Sequence, residues 1–599
     1  MIKQQSKEPK IKITPAKGRP MLYWVGKKPL DYIKGYPAVL TDVFDPLNTG
    51  LRYNIPKFEY LEKNWQNLLF YGDNKDVLAT LLELGFRGKI DLIYIDPPFM
   101  SNADYVRKVE LRGLKGTQTE IDDADLLQQT MYFDMWRNDT YLQFMYERLQ
   151  LLKELLAETG SIYLHLDYHV GHYIKLLMDE IFGPENFRNE IVWCYTGPSR
   201  QTKDFPDKHE IILRYSKSEN YIFNPDDIRI PYKKSFEAAK YRTGIYSGKE
   251  YEKLEEKLKF YDERGKIPED WWADISPAGR ILTEHLGFQT QKPEGLLERI
   301  IKASTNPDDL VLDCFIGSGT TARVGQKLGR RWIGCDINKG AIQLTARESQ
   351  KIILDQIKNK ATKYPSFAIY KVNNYDLQLF QTEAVELAIQ HIGIQRIKTD
   401  PFFDGTLGNK LVKIIDFNHP FTLLDLQLIQ DELKKRPNED RNIIIVCLGK
   451  ELAVDATIEE WNKKHPVNKI EVIELKTDKK YGNFLIHKLD EAKVKIERRG
   501  NMAIIEIQDF ISPTIIERLN IDNQLFKVKI PDFRAMIDYV LIDTKYDGKT
   551  FHIVYSDVPE KKSDLIKGKY ELEIPNGKTK IALKIVDMLG EEVLIIKDV

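Results

Sequence analysis

Cysteine is scarce in this chain. The 4 cysteines among 599 residues, Cys194, Cys314, Cys335 and Cys447, lie far apart and form no Cys-x-x-Cys pair. A zinc site or a disulfide framework is therefore not expected. They read as buried or half-buried free thiols in a reducing cytoplasm. Long apolar runs are also missing, so no membrane association is expected. The early Lys3, Lys7, Lys10, Lys12, Lys17 and Arg19 are not followed by the apolar core of a signal peptide. Net charge is missing too: a value of -1 excludes a generally polycationic chain but leaves room for local basic patches. There is no Walker motif and no internal repeat. What remains, 42% hydrophobic and 30% charged residues, suits a globular protein of several domains.

Residues 1–45 read as a basic arm punctuated by Pro and Gly, either a solvated tail or a strap over the next domain. Ordered structure is expected from Asn67-Leu68-Leu69-Phe70-Tyr71-Gly72-Asp73, a strand running into a turn. Val77, Leu78, Leu81 and Leu82 then recur at helical spacing, and a second strand ends at Asp96. Strand, helix, strand implies a parallel sheet. Residues 100–130 are polar and aperiodic: a surface loop and a substrate-contacting loop are both open. Tyr141–Leu156 predicts an amphipathic helix capped by Gly160, followed by a strand over Ser161–Asp167. In residues 225–270, Lys233, Lys234, Lys240 and Arg242 interleave with Tyr232, Phe236 and Tyr241. That texture fits a nucleic-acid surface and a solvated helical hairpin equally well. Beyond about 365 a small α/β domain is expected, and after about 500 a β-rich end module.

Two turns carry the chemistry. In Leu92-Ile93-Tyr94-Ile95-Asp96-Pro97-Pro98-Phe99 an apolar strand stops at an acid, two prolines and a ring. Asp96 and the Pro97 carbonyl can accept hydrogen bonds from an exocyclic amine, and Phe99 can stack on its heterocycle. In Asp313-Cys314-Phe315-Ile316-Gly317-Ser318-Gly319-Thr320 a buried strand enters a Gly-rich turn and a helix. This turn lacks the Lys-Ser/Thr ending of a P-loop, and Ala322 replaces the third Gly of a dinucleotide fingerprint. Asp336 ends the next strand, where an acid holds ribose hydroxyls. A cofactor with a ribose and no pyrophosphate fits best, as S-adenosylmethionine does.

In this order the motifs resemble the β arrangement of amino-group DNA methyltransferases, with the modification subunits of type III restriction-modification systems as the nearest members. The resemblance covers roughly residues 20–360. It implies a Rossmann-like, S-adenosylmethionine-dependent methyltransferase sheet with an inserted target-recognition region. It also implies base flipping, because the amino group is stacked inside duplex DNA. Asp96, Pro97, Pro98 and Phe99 match the family's catalytic turn, and Asp313, Phe315, Gly317, Gly319 and Thr320 its cofactor loop. Asp73 matches the position that contacts the cofactor's adenine, and Lys292-Pro293 the helix start that meets its methionine moiety. The initial Asp resembles the adenine-modifying members, and Phe99 replaces the commoner Tyr.

The expected layout is a catalytic part over 46–225, target recognition over 226–280 through Lys233, Lys234, Lys240 and Arg242, and a cofactor-binding part over 281–365. A small α/β domain over 366–500 and a β-rich module over 501–599 follow. The expected activity is N6-adenine methylation of double-stranded DNA, with N4-cytosine methylation as the alternative. Carbon-5 methylation of cytosine is excluded, since none of the cysteines follows a Pro. Glu474-Leu475-Lys476 resembles half of a metal-dependent nuclease signature, the basis of a rival methyltransferase-nuclease reading. The type III resemblance implies a homodimer and a separate ATP-dependent restriction subunit.

Overall fold

The computed structural model describes residues 11–16, 21–24, 26–49, 56–98, 104–109, 111–112, 127–133, 138–197, 203–231, 264–280, 291–361, 363–373, 385, 388–389, 392–397, 400, 402–415, 421–475, 490–516, 530, 532–559 and 563–599. These form two units, one of residues 1–373 with 490–599, the other of residues 374–489. Phe99 and the four basic residues Lys233, Lys234, Lys240 and Arg242 lie outside the described residues.

The first unit is built on one large sheet. In chain order its elements begin with β1 (Ala38–Phe44), β2 (Asn67–Tyr71), α1 (Asn74–Glu83) and β3 (Ile90–Ile95). Next come α2 (Asn138–Leu155), β4 (Leu156–Leu166), α3 (Gly171–Phe182), β5 (Phe187–Cys194), β6 (His209–Ser216) and β7 (Trp271–Trp272). After the insertion follow α4 (Glu294–Ser304), β8 (Leu310–Asp313), α5 (Thr320–Lys327), β9 (Arg331–Asp336), α6 (Lys339–Lys358) and β10 (Phe367–Val372). The strand order is β7-β5-β6-β4-β3-β8-β9-β2-β10-β1, with one further short strand beside β1. The run from β4 through β3, β8, β9 and β2 to β10 is parallel. Its strands are mostly apolar, as in Ile90–Ile95 and Leu310–Asp313, because helices cover both faces.

Register decides where the site lies. Val311 pairs with Leu92 and Leu312 with Ile93, so β3 and β8 end side by side although 217 residues of sequence separate Asp96 from Asp313 (313 minus 96). Chain order reverses across this pair, leaving a crevice at the carboxyl edge. α4 closes it by burying Leu296, Leu297, Ile300 and Ile301 against the sheet. Truncating such a residue to Ala costs about 2–5 kcal/mol.

Several sequence expectations are corrected. The 1–45 arm is no tail over its described part: Trp24 and Leu30 are buried and β1 joins the sheet, antiparallel to β10. β10 itself, placed by the sequence reading beyond the methyltransferase part, pairs with β2. Gly160 does not cap α2, which ends at Leu155; the chain turns directly into β4. There Gly160 lies inside the strand, where a Cβ would meet Leu156 Cδ1 at 2.7 Å and the Asp91 carbonyl at 3.0 Å. Gly is required by close approach, at a register irregularity between β3 and β4. Within the 100–130 stretch, Asp104–Val109 forms an antiparallel ribbon with Leu127–Phe133.

The second unit carries β11 (Gln395–Arg396), β12 (Gly405–Leu407), β13 (Lys410–Ile414), α7 (Leu423–Lys434), β14 (Ile443–Cys447), α8 (Leu452–Lys464) and β15 (Ile470–Glu474). Its sheet runs β11-β12-β13-β14-β15, with β13, β14 and β15 parallel. Thr422 and Asp425 form a capping box that starts α7. Glu474, of the nuclease-like triplet, lies 3.7 Å from Lys450, and Lys476 is outside the described residues.

The chain then returns to the first unit as β16 (Glu491–Arg499), β17 (Met502–Ile511), β18 (Ile537–Asp543), β19 (Phe551–His552), β20 (Tyr555–Asp557), β21 (Lys569–Glu573), β22 (Lys580–Asp587) and β23 (Glu592–Asp598). β19 completes the large sheet beside β1. Tyr539, Leu541, Ala582 and Val586 share a core with Ile342 and Ala346 of α6. Arg347 of α6 grips both oxygens of Asp538, at 2.9 and 2.8 Å. This β-rich segment is thus part of the first unit rather than a separate module.

Candidate active site

The carboxyl ends of β2, β3, β8 and β9 surround a cavity of about 290 Å³. Asp73, Asp96, Pro98, Lys292, Asp313, Phe315, Gly317, Thr320 and Asp336 all line it. Pro97 is buried behind the turn, and Pro293 caps the start of α4. Gly319 caps α5 in the left-handed region, φ 80°, and sits against Thr345 rather than on the cavity wall. Phe144, Ile316 and Ile337 add apolar wall, a surface suited to a flat ring.

The cofactor-type loop is held by its own acids. Asp313, 3% exposed, accepts from Phe315 N at 3.0 Å and from Thr321 Oγ1 at 2.6 Å. Burial pushes its carboxyl up to about 7. Asp336 accepts from Gly317 N at 2.9 Å and Asn338 N at 2.8 Å, and burial pushes it up to about 6. Asp73 caps α1 through Lys75 N, and Arg148 of α2 holds both its oxygens at 2.9 and 3.0 Å. Arg148 also binds Asn74 and stacks over the Phe144 ring, 3.5 Å from its centroid.

The other turn carries an unequal carboxylate. Pro97 and Pro98 donate no N–H, so sheet pairing stops at Ile95 and Asp96 stands free of the ladder. Lys292 Nζ donates to Asp96 Oδ2 at 2.7 Å. Asp96 Oδ1 is buried and has no hydrogen-bond partner among the described residues. One acceptor is therefore anchored and the other enclosed and unsatisfied, on a side chain that lines the cavity.

Lys292 also faces Glu210 Oε2 at 3.5 Å. Burial pulls the Lys292 ammonium down, but Asp96 and Glu210 outweigh it and hold it above the usual lysine range. Burial pushes the Glu210 carboxyl up, but Lys292 and His165 outweigh it and hold it well below the usual range. Behind Glu210 stand His165 Nε2 at 2.7 Å and the Tyr195 hydroxyl at 3.2 Å. The Tyr94 hydroxyl meets His165 Nδ1 at 2.8 Å. A bare Nε2 lone pair facing a carboxylate would be repulsive, so Nε2 carries a proton.

Sequence reasoning did not find Arg148, His165 or Glu210. A histidine in the otherwise apolar run Ile162-Tyr163-Leu164-His165-Leu166 was the available signal, since a fully buried polar group needs a partner. Lys292, expected beside the cofactor's methionine, lines the cavity and donates its ammonium to Asp96.

Residues 90–347 match the family described as DNA methylase. The type II methyltransferase M1.MboII of Moraxella bovis is 32% identical over 247 residues, covering 40% of this chain and 90% of that protein. This chain belongs to the DNA methylase family. The type II methyltransferase M.EcaI of Enterobacter cloacae is 28% identical over 319 residues, covering 45% of this chain and 66% of that protein. The Mod subunit of the type III restriction-modification enzyme StyLTI of Salmonella typhimurium is 28% identical over 367 residues. That match covers 49% of this DNA methylase chain and 56% of the subunit.

Proposed function

We propose that the protein transfers a methyl group from S-adenosylmethionine to the N6 amino group of adenine in double-stranded DNA. The observation that carries this is the divided carboxylate of Asp96 on the cavity wall, with Oδ2 anchored by Lys292 and Oδ1 buried without a hydrogen-bond partner among the described residues. The cavity fits the cofactor. Phe315, Phe144 and Ile337 would offer apolar faces and Asp73 a polar contact for its adenine, Asp336 an acceptor for its ribose, and Asp313 and the Lys292-Pro293 helix start the surroundings of its methionine moiety. When bound, the cofactor supplies an electrophilic methyl group.

The chain's own residues orient the acceptor. The Asp96 carboxylate and the Pro97 carbonyl take hydrogen bonds from the two N–H groups of the amine, which leaves the nitrogen lone pair directed into the cavity. The nitrogen gains a methyl group as the sulfur–methyl bond breaks and its electron pair stays on sulfur as a neutral thioether; the nitrogen passes through a cationic state and loses one proton to solvent. The carboxylate beside it stabilises that cation as it forms. The base must leave the helix to reach this position.

The relatives include Mod subunits, which supports a role in restriction-modification alongside a separate ATP-dependent restriction subunit. A homodimer and cytoplasmic location complete the reading. Target recognition is assigned to the stretch holding Lys233, Lys234, Lys240 and Arg242, on its basic and aromatic composition. Nucleoside mass spectrometry of DNA treated with the protein and labelled cofactor tests the reaction. N6-methyladenine is expected with the native chain and not with Asp96→Ala. N4-methylcytosine would shift the target base, and no methylated nucleoside would overturn the reading.

A further inference from the structure

The side chains around Asp96 form a closed buried ring. Asp96 contacts Lys292 at 2.7 Å, Lys292 contacts Glu210 at 3.5 Å, and Glu210 contacts His165 at 2.7 Å. His165 contacts Tyr94 at 2.8 Å, and Tyr94 lies two residues before Asp96 on β3. The ring draws on β3, β4, β6 and the start of α4.

One ammonium here serves two carboxylates. Had Lys292 only to anchor Asp96, Glu210 would be a costly addition, since a buried charge needs compensation. Two acids and one base leave the trio with a net charge of about -1. That surplus suits a reaction in which positive charge develops on a nitrogen beside Asp96. A one-to-one Asp96–Lys292 pair would be neutral and would stabilise that nitrogen less. Glu210 reaches the reacting atoms only through Lys292. His165 and Tyr195 fix its carboxylate so that it cannot turn away.

We propose that Glu210 is a positioning residue for methyl transfer. It shares the Lys292 ammonium with Asp96, holds the Asp96 carboxylate in place at the cavity wall, and keeps the site negatively charged. The inference rests on the methyltransferase reading above.

Glu210→Gln keeps the shape and removes the charge. It is expected to lower kcat about tenfold to a hundredfold, with KM for DNA and for S-adenosylmethionine changed less than about threefold. In a Lys292→Met background the same substitution is expected to change kcat less than about twofold, because its route to Asp96 is already cut. A purely structural role would give equal losses in both backgrounds, and that result overturns the inference, as does an unchanged kcat in the single variant. Crystal structures of the native chain and the Glu210→Gln variant supply a readout independent of turnover. Lys292 Nζ is expected to leave residue 210 and draw wholly onto Asp96. If it stays between the two, the inference fails. Absence of methyl transfer by the native chain would overturn the proposed function, while the position of Lys292 would still decide this inference.

Discussion

Lys292 reaches across 196 residues of sequence to place its ammonium 2.7 Å from Asp96 Oδ2. The contact joins the start of α4 to the end of β3, so the helix that covers the crevice also sets its acid. Lys292→Met would leave Asp96 and Glu210 buried without their cation. A loss of stability of roughly 3–5 kcal/mol at neutral pH is expected. The Glu210 carboxyl is depressed in the native protein, so its contribution is present above the ordinary glutamate range and is lost as pH falls. The variant should therefore lose less stability than the native chain on acidification. Urea unfolding at pH 7 and pH 4 measures both effects.

Asp313 and Asp336 supply a pH dependence of opposite sign. Burial raises their folded values to about 7 and about 6. Their contribution to stability is fully present below the ordinary carboxylate pKa of about 3.9 and is lost as pH rises through 6 to 7. A cationic ligand favours the ionised forms. Affinity for S-adenosylmethionine is expected to rise from pH 5 to pH 8 while the melting temperature of the ligand-free protein falls. Calorimetric titration and a thermal melt across that range check the pair.

Gly319 is expected to tolerate no side chain. Its φ of +80° is strained for other residues, and a Cβ there would meet Thr345 Oγ1 at 2.6 Å and its Cα at 3.0 Å. Gly319→Ala must displace either the loop or α6, at a cost of about 1–3 kcal/mol. Weaker cofactor binding and a lower unfolding midpoint are the expected results, read by calorimetry and denaturant titration.

Asp538 accepts from Arg347 and, at 2.5 Å, from Arg112, and it is 6% exposed. Asp538→Ala leaves two buried guanidinium groups with reduced compensation, and a loss of about 3–5 kcal/mol is expected. Asp538→Asn should lose less, because it keeps an acceptor. Equal unfolding midpoints for the native chain and the Ala variant would contradict the docking of the β-rich segment on α6.

The two turns that line the cavity were legible because each ends an apolar run with residues that cannot continue a strand. Asp96-Pro97-Pro98 and Asp313 through Gly319 announce themselves locally, and a parallel sheet then implies one edge for both. The ring behind Asp96 was not legible. His165, Glu210 and Lys292 come from separate elements, and a single glutamate beginning a strand looks like any solvated edge. β1 and β10 were missed because Thr41, Asp42 and Lys371 interrupt their apolar pattern, and the pairing of β10 with both β1 and β2 is what fixes them as strands. The merging of the β-rich segment with the first unit depends on contacts such as Arg347–Asp538, which no local pattern encodes.

Lys584 binds Asp42, 542 residues earlier in the chain, and Phe551 pairs with the same Asp42 in the sheet. During synthesis at roughly 5–20 residues per second, the edge at β1 waits on the order of half a minute to two minutes for its partner. Until then β1 presents an unpaired flank, the kind of surface on which chains aggregate. Such distant closure also predicts slow folding, because the loop must close before its contacts contribute. The last strands to be made thus determine when the first becomes safe, and a nascent chain halted before residue 551 would still expose that edge.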